Sequence, residues 1–137
     1  MTPSELRAGL VAALSTLDGL TVSGYITGNI QPPHAVVRLA SGSYDSVMAR
    51  GADDLTLQVV LFVTRADDPD GLTVLDRYVA GHGERSIKTL LEDSDYTGLS
   101  EALVRVRSYE VGYTSASDGS EFLAATFAVE ATVSGTT

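Results

Sequence analysis

The sequence predicts a single α+β domain over residues 1–137: a mixed, mostly antiparallel sheet of about five strands, with two or three helices packed on it in the order α-β-β-β-α-β-β. Three observations predict it. Leu6, Leu10, Ala13, Leu14 and Leu17 recur at helical spacing near the N-terminus. Residues 55–64 and 121–133 instead alternate with the period of a strand. Between these two strand-like segments lies an amphipathic helical stretch, bounded by an Asp-rich turn and a Gly-His-Gly break.

The elements follow in order. Thr2, Pro3, Ser4 and Glu5 form a capping box with proline at the first helical position, and Gly19 supplies the stop. Residues 21–26 are a short strand. Gln31-Pro32-Pro33 then enforces an extended entry into a strand over residues 35–39. Residues 41–54 are polar, hold two glycines and show no periodicity, so they are expected to be a long loop. In residues 55–64, Leu55, Leu57, Val59, Leu61 and Val63 make one face strictly apolar while the other is mixed, the pattern of an interior strand with partial cover on its second side.

After the turn at residues 65–71, whose aspartates are expected to cap the next helix, Leu72, Leu75, Tyr78 and Val79 give that helix its apolar face. Gly81-His82-Gly83 ends it, and residues 86–92 add a second helical piece through Ile87, Leu90 and Leu91. The last element is a hairpin of residues 103–113 and 121–133, turning at Ser117-Asp118-Gly119-Ser120. On its second strand Leu123, Ala125, Phe127, Val129, Ala131 and Val133 form the core face, packing with Leu57, Val59 and Leu61 against Leu10 and Leu14; residues 134–137 are expected to be a polar tail.

Eighteen acids against nine bases give a net charge of −9, which argues against a protein that grips nucleic-acid phosphates or an anionic membrane. Apolar runs stop at five residues, far short of a membrane-spanning helix, and Glu5 and Arg7 stand where a secretory leader would be apolar. Without cysteine there is no disulfide, thiolate metal site or thiol nucleophile.

Chemistry-bearing patterns are sparse. His34 and His82 sit in no nucleophile motif, and both are expected to be solvated or loop-packing. Asp67, Asp68 and Asp70 lack the spacing and distal glutamate of a calcium loop, and read as a helix start. Glycine-rich nucleotide fingerprints are absent, and the one lysine, Lys88, lies inside a helix. No catalytic, cofactor-binding or metal-binding residue is therefore assigned, and a structural or interaction protein is expected rather than an enzyme. Arg105 and Arg107 share one face of a strand and form a small basic stripe, a secondary contact for an acidic partner. In the 41–54 segment, Tyr44 and Met48 offer apolar area, and Arg50 among Asp45, Asp53 and Asp54 offers charges of both signs. These six residues are the candidate assembly interface.

The run Tyr44-Asp45-Ser46-Val47-Met48-Ala49-Arg50-Gly51-Ala52-Asp53-Asp54-Leu55-Thr56, with the strand and Arg65-Ala66-Asp67-Asp68 after it and Gln31-Pro32-Pro33-His34-Ala35-Val36-Val37 before it, resembles tail terminator proteins of long-tailed phages of actinobacteria. These are similar in plan to the tail terminator of phage lambda. The resemblance implies a hexameric ring of this chain on top of the tail tube, at the neck of the virion, assembled in the host cytoplasm. Such a ring stops tube polymerisation and presents a surface to the head-side connector. DNA passes through it without specific binding, and no membrane or cofactor is involved. An adaptor between portal and tail, or a small ligand-binding module or hydrolase, are the alternatives.

Overall fold

Helix α1 (Pro3–Leu14) turns Leu6, Leu10, Ala13 and Leu14 inward, all fully buried, as their spacing requires. Pro3 occupies the first turn, where a missing amide is tolerated; Thr2 lies outside the described residues. The helix ends at Leu14, short of Gly19, so Gly19 is not its stop; its φ of 80° serves the turn into the first strand. The computed structural model describes residues 3–17, 19–23, 32–43, 52–81, 83, 86–99, 102–115 and 121–134.

The remaining elements are β1 (Thr21–Ser23), β2 (His34–Ser43), β3 (Ala52–Arg65), α2 (Gly71–Val79), α3 (Ile87–Glu92), the single turn α4 (Ser94–Thr97), β4 (Ala102–Ser115) and β5 (Glu121–Ser134). The five strands form one sheet in the order β1-β2-β3-β5-β4, with β1 parallel to β2 and every other pair antiparallel. This is the mixed, mostly antiparallel α+β architecture that the periodicities predict.

Helices α1, α2 and α3 contribute to one core with one face of the sheet. Leu57, Val59, Leu61, Phe127 and Val129 share a buried cluster with Leu10 and Leu14, and Leu123, Ala125, Ala131 and Val133 belong to the same layer. The interior position of β3 and β5 explains why their alternation was so regular: both are paired on two sides and differ only between faces. On the face away from the helices a smaller apolar cluster of Val36, Phe62, Phe122 and Ala124 is buried at one end. Phe62 and Phe122 meet there edge to face at 5.7 Å, and the Arg65 guanidinium lies 5.9 Å over the Phe122 ring.

Several expectations change. Ser41–Ser43 and Ala52–Asp54 are not loop; they pair as the ends of β2 and β3. Backbone hydrogen bonding needs no apolar period, so polar hairpin ends give no signal, and a bulge between Leu39 and Ser41 breaks the alternation further. Of the strand expected at residues 21–26, Thr21–Ser23 are strand and residues 24–26 lie outside the described residues; Ser134 is paired with Ala52 rather than lying in a tail. Leu72 is 60% exposed, because Gly71, Leu75 and Tyr78 take the inward face of α2. Gly71 packs so closely that a Cβ there would sit 2.8 Å from Thr64 Oγ1, so the helix phase is set by a glycine that carries no hydrophobic signal. The side chain of Asp70 caps nothing; instead Asp68 Oδ1 accepts the Asp70 amide at 2.8 Å in the turn before the helix.

Ser86 caps α3, accepting the Thr89 amide and donating to the Ala80 carbonyl. His82 and the hairpin turn at residues 117–120 lie outside the described residues.

Candidate assembly surface

Of the residues singled out from the sequence, Tyr44, Asp45, Met48 and Arg50 lie outside the described residues. Asp53 and Asp54 open β3 and, being adjacent on a strand, point to opposite faces. Asp53 is in register with the buried Val133 on the helix side. Asp54 lies on the other face, where its Oδ1 accepts the Thr132 hydroxyl at 2.6 Å.

Arg105 and Arg107 do share a face. Arg105 is the register partner of Glu130, and Arg107 Nε is 3.5 Å from Glu130 Oε2. Both members of that ion pair are about half exposed, so it contributes only a few tenths of a kcal/mol to stability. Asp54, Arg105 and Glu130 line a shallow cavity of about 340 Å³ together with Ser43, Thr56 and Thr132. One row along the sheet, Arg38 Nε donates to Gln58 Oε1 at 2.8 Å. This end of the face away from the helices therefore carries both signs of charge on short, exposed partners. It suits contact with another polar protein surface better than capture of a single ion.

His34 is 3% exposed rather than solvated. Its Nε2 lies 3.0 Å from Ser23 Oγ, which ties β1 to β2, and its Nδ1 is buried with no partner among the described residues. Desolvation lowers its pKa, so the ring is neutral near pH 7. A serine–histidine contact is half of a nucleophile arrangement, but this imidazole is sealed from solvent and no carboxylate orients its Nδ1 among the described residues. Among the described residues no group of three or more His, Asp or Glu could hold a metal ion, and no helix is long and apolar enough to cross a membrane.

One feature escaped the sequence reading. Tyr109, Val111 and Tyr113 on β4 are 49%, 46% and 64% exposed, yet their register partners are the buried Phe127, Ala125 and Leu123. They continue the helix-side core onto the outermost described strand, on which Val104 and Val106 are buried. The cause is a bulge between Val106 and Ser108, which switches the inward positions from even to odd numbers. That switch, Val104 and Val106 followed by Tyr109, Val111 and Tyr113, was the available signal. Compared with known proteins, the chain matches no family model, and a search of curated proteins gives no match.

Proposed function

We propose that this chain is a structural virion protein that caps the phage tail tube as a ring, stops tube polymerisation and offers the attachment surface for the head-side connector. The reading rests on the resemblance of residues 31–68 to tail terminators. The structural observation that supports it is β4, the outermost strand among the described residues, whose exposed Tyr109, Val111 and Tyr113 extend the core toward solvent past the point where Glu92 of α3 takes up the Val106 amide. Exposed apolar strand edges are sites where chains join, and isolated folded domains usually protect them. The surplus of acids fits a ring that must let DNA pass without holding it.

Negative-stain imaging of the purified protein, alone and with tail tubes, tests the proposal. Rings seated on tube ends, with tube growth halted, are the expected result. Absence of the protein from tube ends, with tubes growing on in its presence, refutes it. If isolated tails lack the protein and acquire it only with heads, the adaptor reading replaces it.

A further inference from the structure

We propose that the free chain pairs with a second copy of itself through β4, the two strands meeting antiparallel about a two-fold axis at Val111, with Tyr109 of each copy against Tyr113 of the other. The inference goes beyond the function proposed above, because it concerns the chain before any assembly. In the tail reading this pair is the stored form of the subunit.

The exposed stretch of β4 has defined limits. At its start, Glu92 Oε2 accepts the Val106 amide at 2.9 Å, so this amide points away from β5 and a side chain of α3 takes the place a neighbouring strand would fill. At its end stands Ser115, the last residue of the strand. Residues 107–113 are all exposed, including Gly112, which has only backbone to expose. Among the described residues no strand lies beyond β4. Val111 is the midpoint of residues 107–115, so a partner strand that matches this stretch end to end is centred there.

The side chains are palindromic about the same residue. Tyr109, Val111 and Tyr113 share the helix-side face, in register with Phe127, Ala125 and Leu123, and each is exposed. Turning a second β4 about Val111 sets Val111 on Val111 and makes the Tyr109–Tyr113 pair twice, and aromatic and β-branched pairs of this kind stabilise antiparallel strands. On the other face the same register puts Glu110 across from Gly112. A side chain at Gly112 would meet nothing within 4 Å in its own subunit, and a shallow cavity of about 210 Å³ beside it is lined by Val60, Thr114, Ala124 and Thr126. Glu110 of the second copy has room there. Moving the axis breaks the match. Centred on Glu110, it would set two carboxylates against each other and ask Val106, already held by Glu92, to pair with Thr114. Centred on Gly112, it would set Tyr109 against Ser115 and carry Arg107 past the end of the strand.

A contact that uses the same surface on both copies closes on itself, so association stops at two. Three apolar side chains per copy and one run of backbone pairing are little beside the roughly 800 Å² per partner of a standard interface, so the pair is weak and parts readily.

The chain contains no cysteine, so introduced thiols report contacts without interference. Directly opposite residues on antiparallel strands fall within the roughly 4.4–6.8 Å Cα separation that a disulfide spans. Val111→Cys alone, oxidised, should give a covalent dimer and nothing larger. Tyr109→Cys should link to Tyr113→Cys when the two are mixed, and not to itself. In sedimentation velocity Gly112→Glu, which sets a carboxylate opposite Glu110 twice, should weaken the pair about tenfold, and Gly112→Lys should tighten it by a similar factor. Glu110→Lys combined with Gly112→Glu should recover at least the wild-type strength. Position 112 is open in its own subunit, so the melting temperatures of these variants in dilute solution should stay near that of the wild type. The thiols at 109 and 113 test the register independently of them. A wild-type protein that stays monomeric at its highest soluble concentration, a free chain that assembles beyond the dimer, a Tyr109→Cys protein that links to itself, or equal effects of the two substitutions at Gly112 overturns the proposal. A chain that pairs through Val111 and caps no tubes would remove the tail function and leave the pair standing. Capping by a chain that never pairs would do the reverse.

Discussion

Replacing Leu61 by alanine gives the most direct measure of the core. Leu61 is fully buried on β3, the middle strand, and its partners on either side, Ala35 and Ala125, are also fully buried. Because both neighbours end at Cβ, Leu61 fills the space above them, and neither has atoms that could relax into a gap. Removing three carbons forfeits about 2.4 kcal/mol of transfer free energy at about 0.8 kcal/mol each. A residual cavity of roughly 60 Å³, charged at about 24 cal/mol per Å³, brings the loss to about 4 kcal/mol. For a domain of this size that corresponds to a fall in Tm on the order of 15 °C. Urea unfolding followed by circular dichroism reads it directly, with the slope unchanged if the unfolded state is the same. Leu72→Ala, at a 60% exposed position on α2, is the control and should cost under about 0.5 kcal/mol. A loss below about 1 kcal/mol for Leu61→Ala, or equal losses for the two, would show that the face assignment of β3 is wrong.

Gly9→Ala should destabilise the fold by about 1 kcal/mol net, since its Cβ would lie 2.6 Å from Leu99 Cγ and the crowding outweighs the gain in helix propensity. Adding Leu99→Ala should recover part of that loss in a double-mutant cycle, and strict additivity would contradict the contact. Glu92 Oε2 accepts the Val106 amide at 2.9 Å while its Oε1 meets Lys88 Nζ, so Glu92→Ala should cost about 1–2 kcal/mol and speed exchange of the Val106 amide; Glu92→Gln, which keeps an acceptor, should cost less. For His34 the folded pKa lies below 6.5, so the unfolded chain takes up the proton first. Its contribution is complete above pH 6.5 and is lost as the pH falls from there toward the folded value. The drop in Tm between pH 7.5 and 5.5 should therefore be smaller in His34→Gln than in the wild type, and an equal drop would count against it.

The legible parts of the fold are those where one face is buried and the other is not. Helix α1 and strands β3 and β5 meet that condition, and their alternation located Leu10, Leu57, Val59, Leu61, Phe127 and Val129 in one layer. Where strand pairing rather than an alternating apolar face holds a segment, as at Ser41–Ser43 and Ala52–Asp54, composition looked like loop. Leu72 was misplaced because Gly71, with no side chain to reveal it, is the residue packed against Leu123. Arg105 and Arg107 were correctly put on one face, but Asp53 and Asp54 were grouped without regard to the alternation that separates them. Tyr109 and Val111 drew no assignment from the sequence, yet in register they belong to the core face. Their exposure follows from β4 having no second strand beside it among the described residues, which depends on the order of strands in space and on nothing within β4 itself.

The place of β5 in that order has a kinetic side. It is the last strand along the chain, yet it lies inside the sheet, joining β3 to β4 through pairs as distant in sequence as Ala52 and Ser134. The β4–β5 hairpin can close locally, whereas its docking on β3 must first close a loop that spans α2, α3 and α4. Until that step both rims of the gap are open strands, one of them the apolar β3. Folding speed is therefore governed by the arrival of Glu121–Ser134, and a chain stalled before it exposes two extra edges able to pair with other copies in the wrong order.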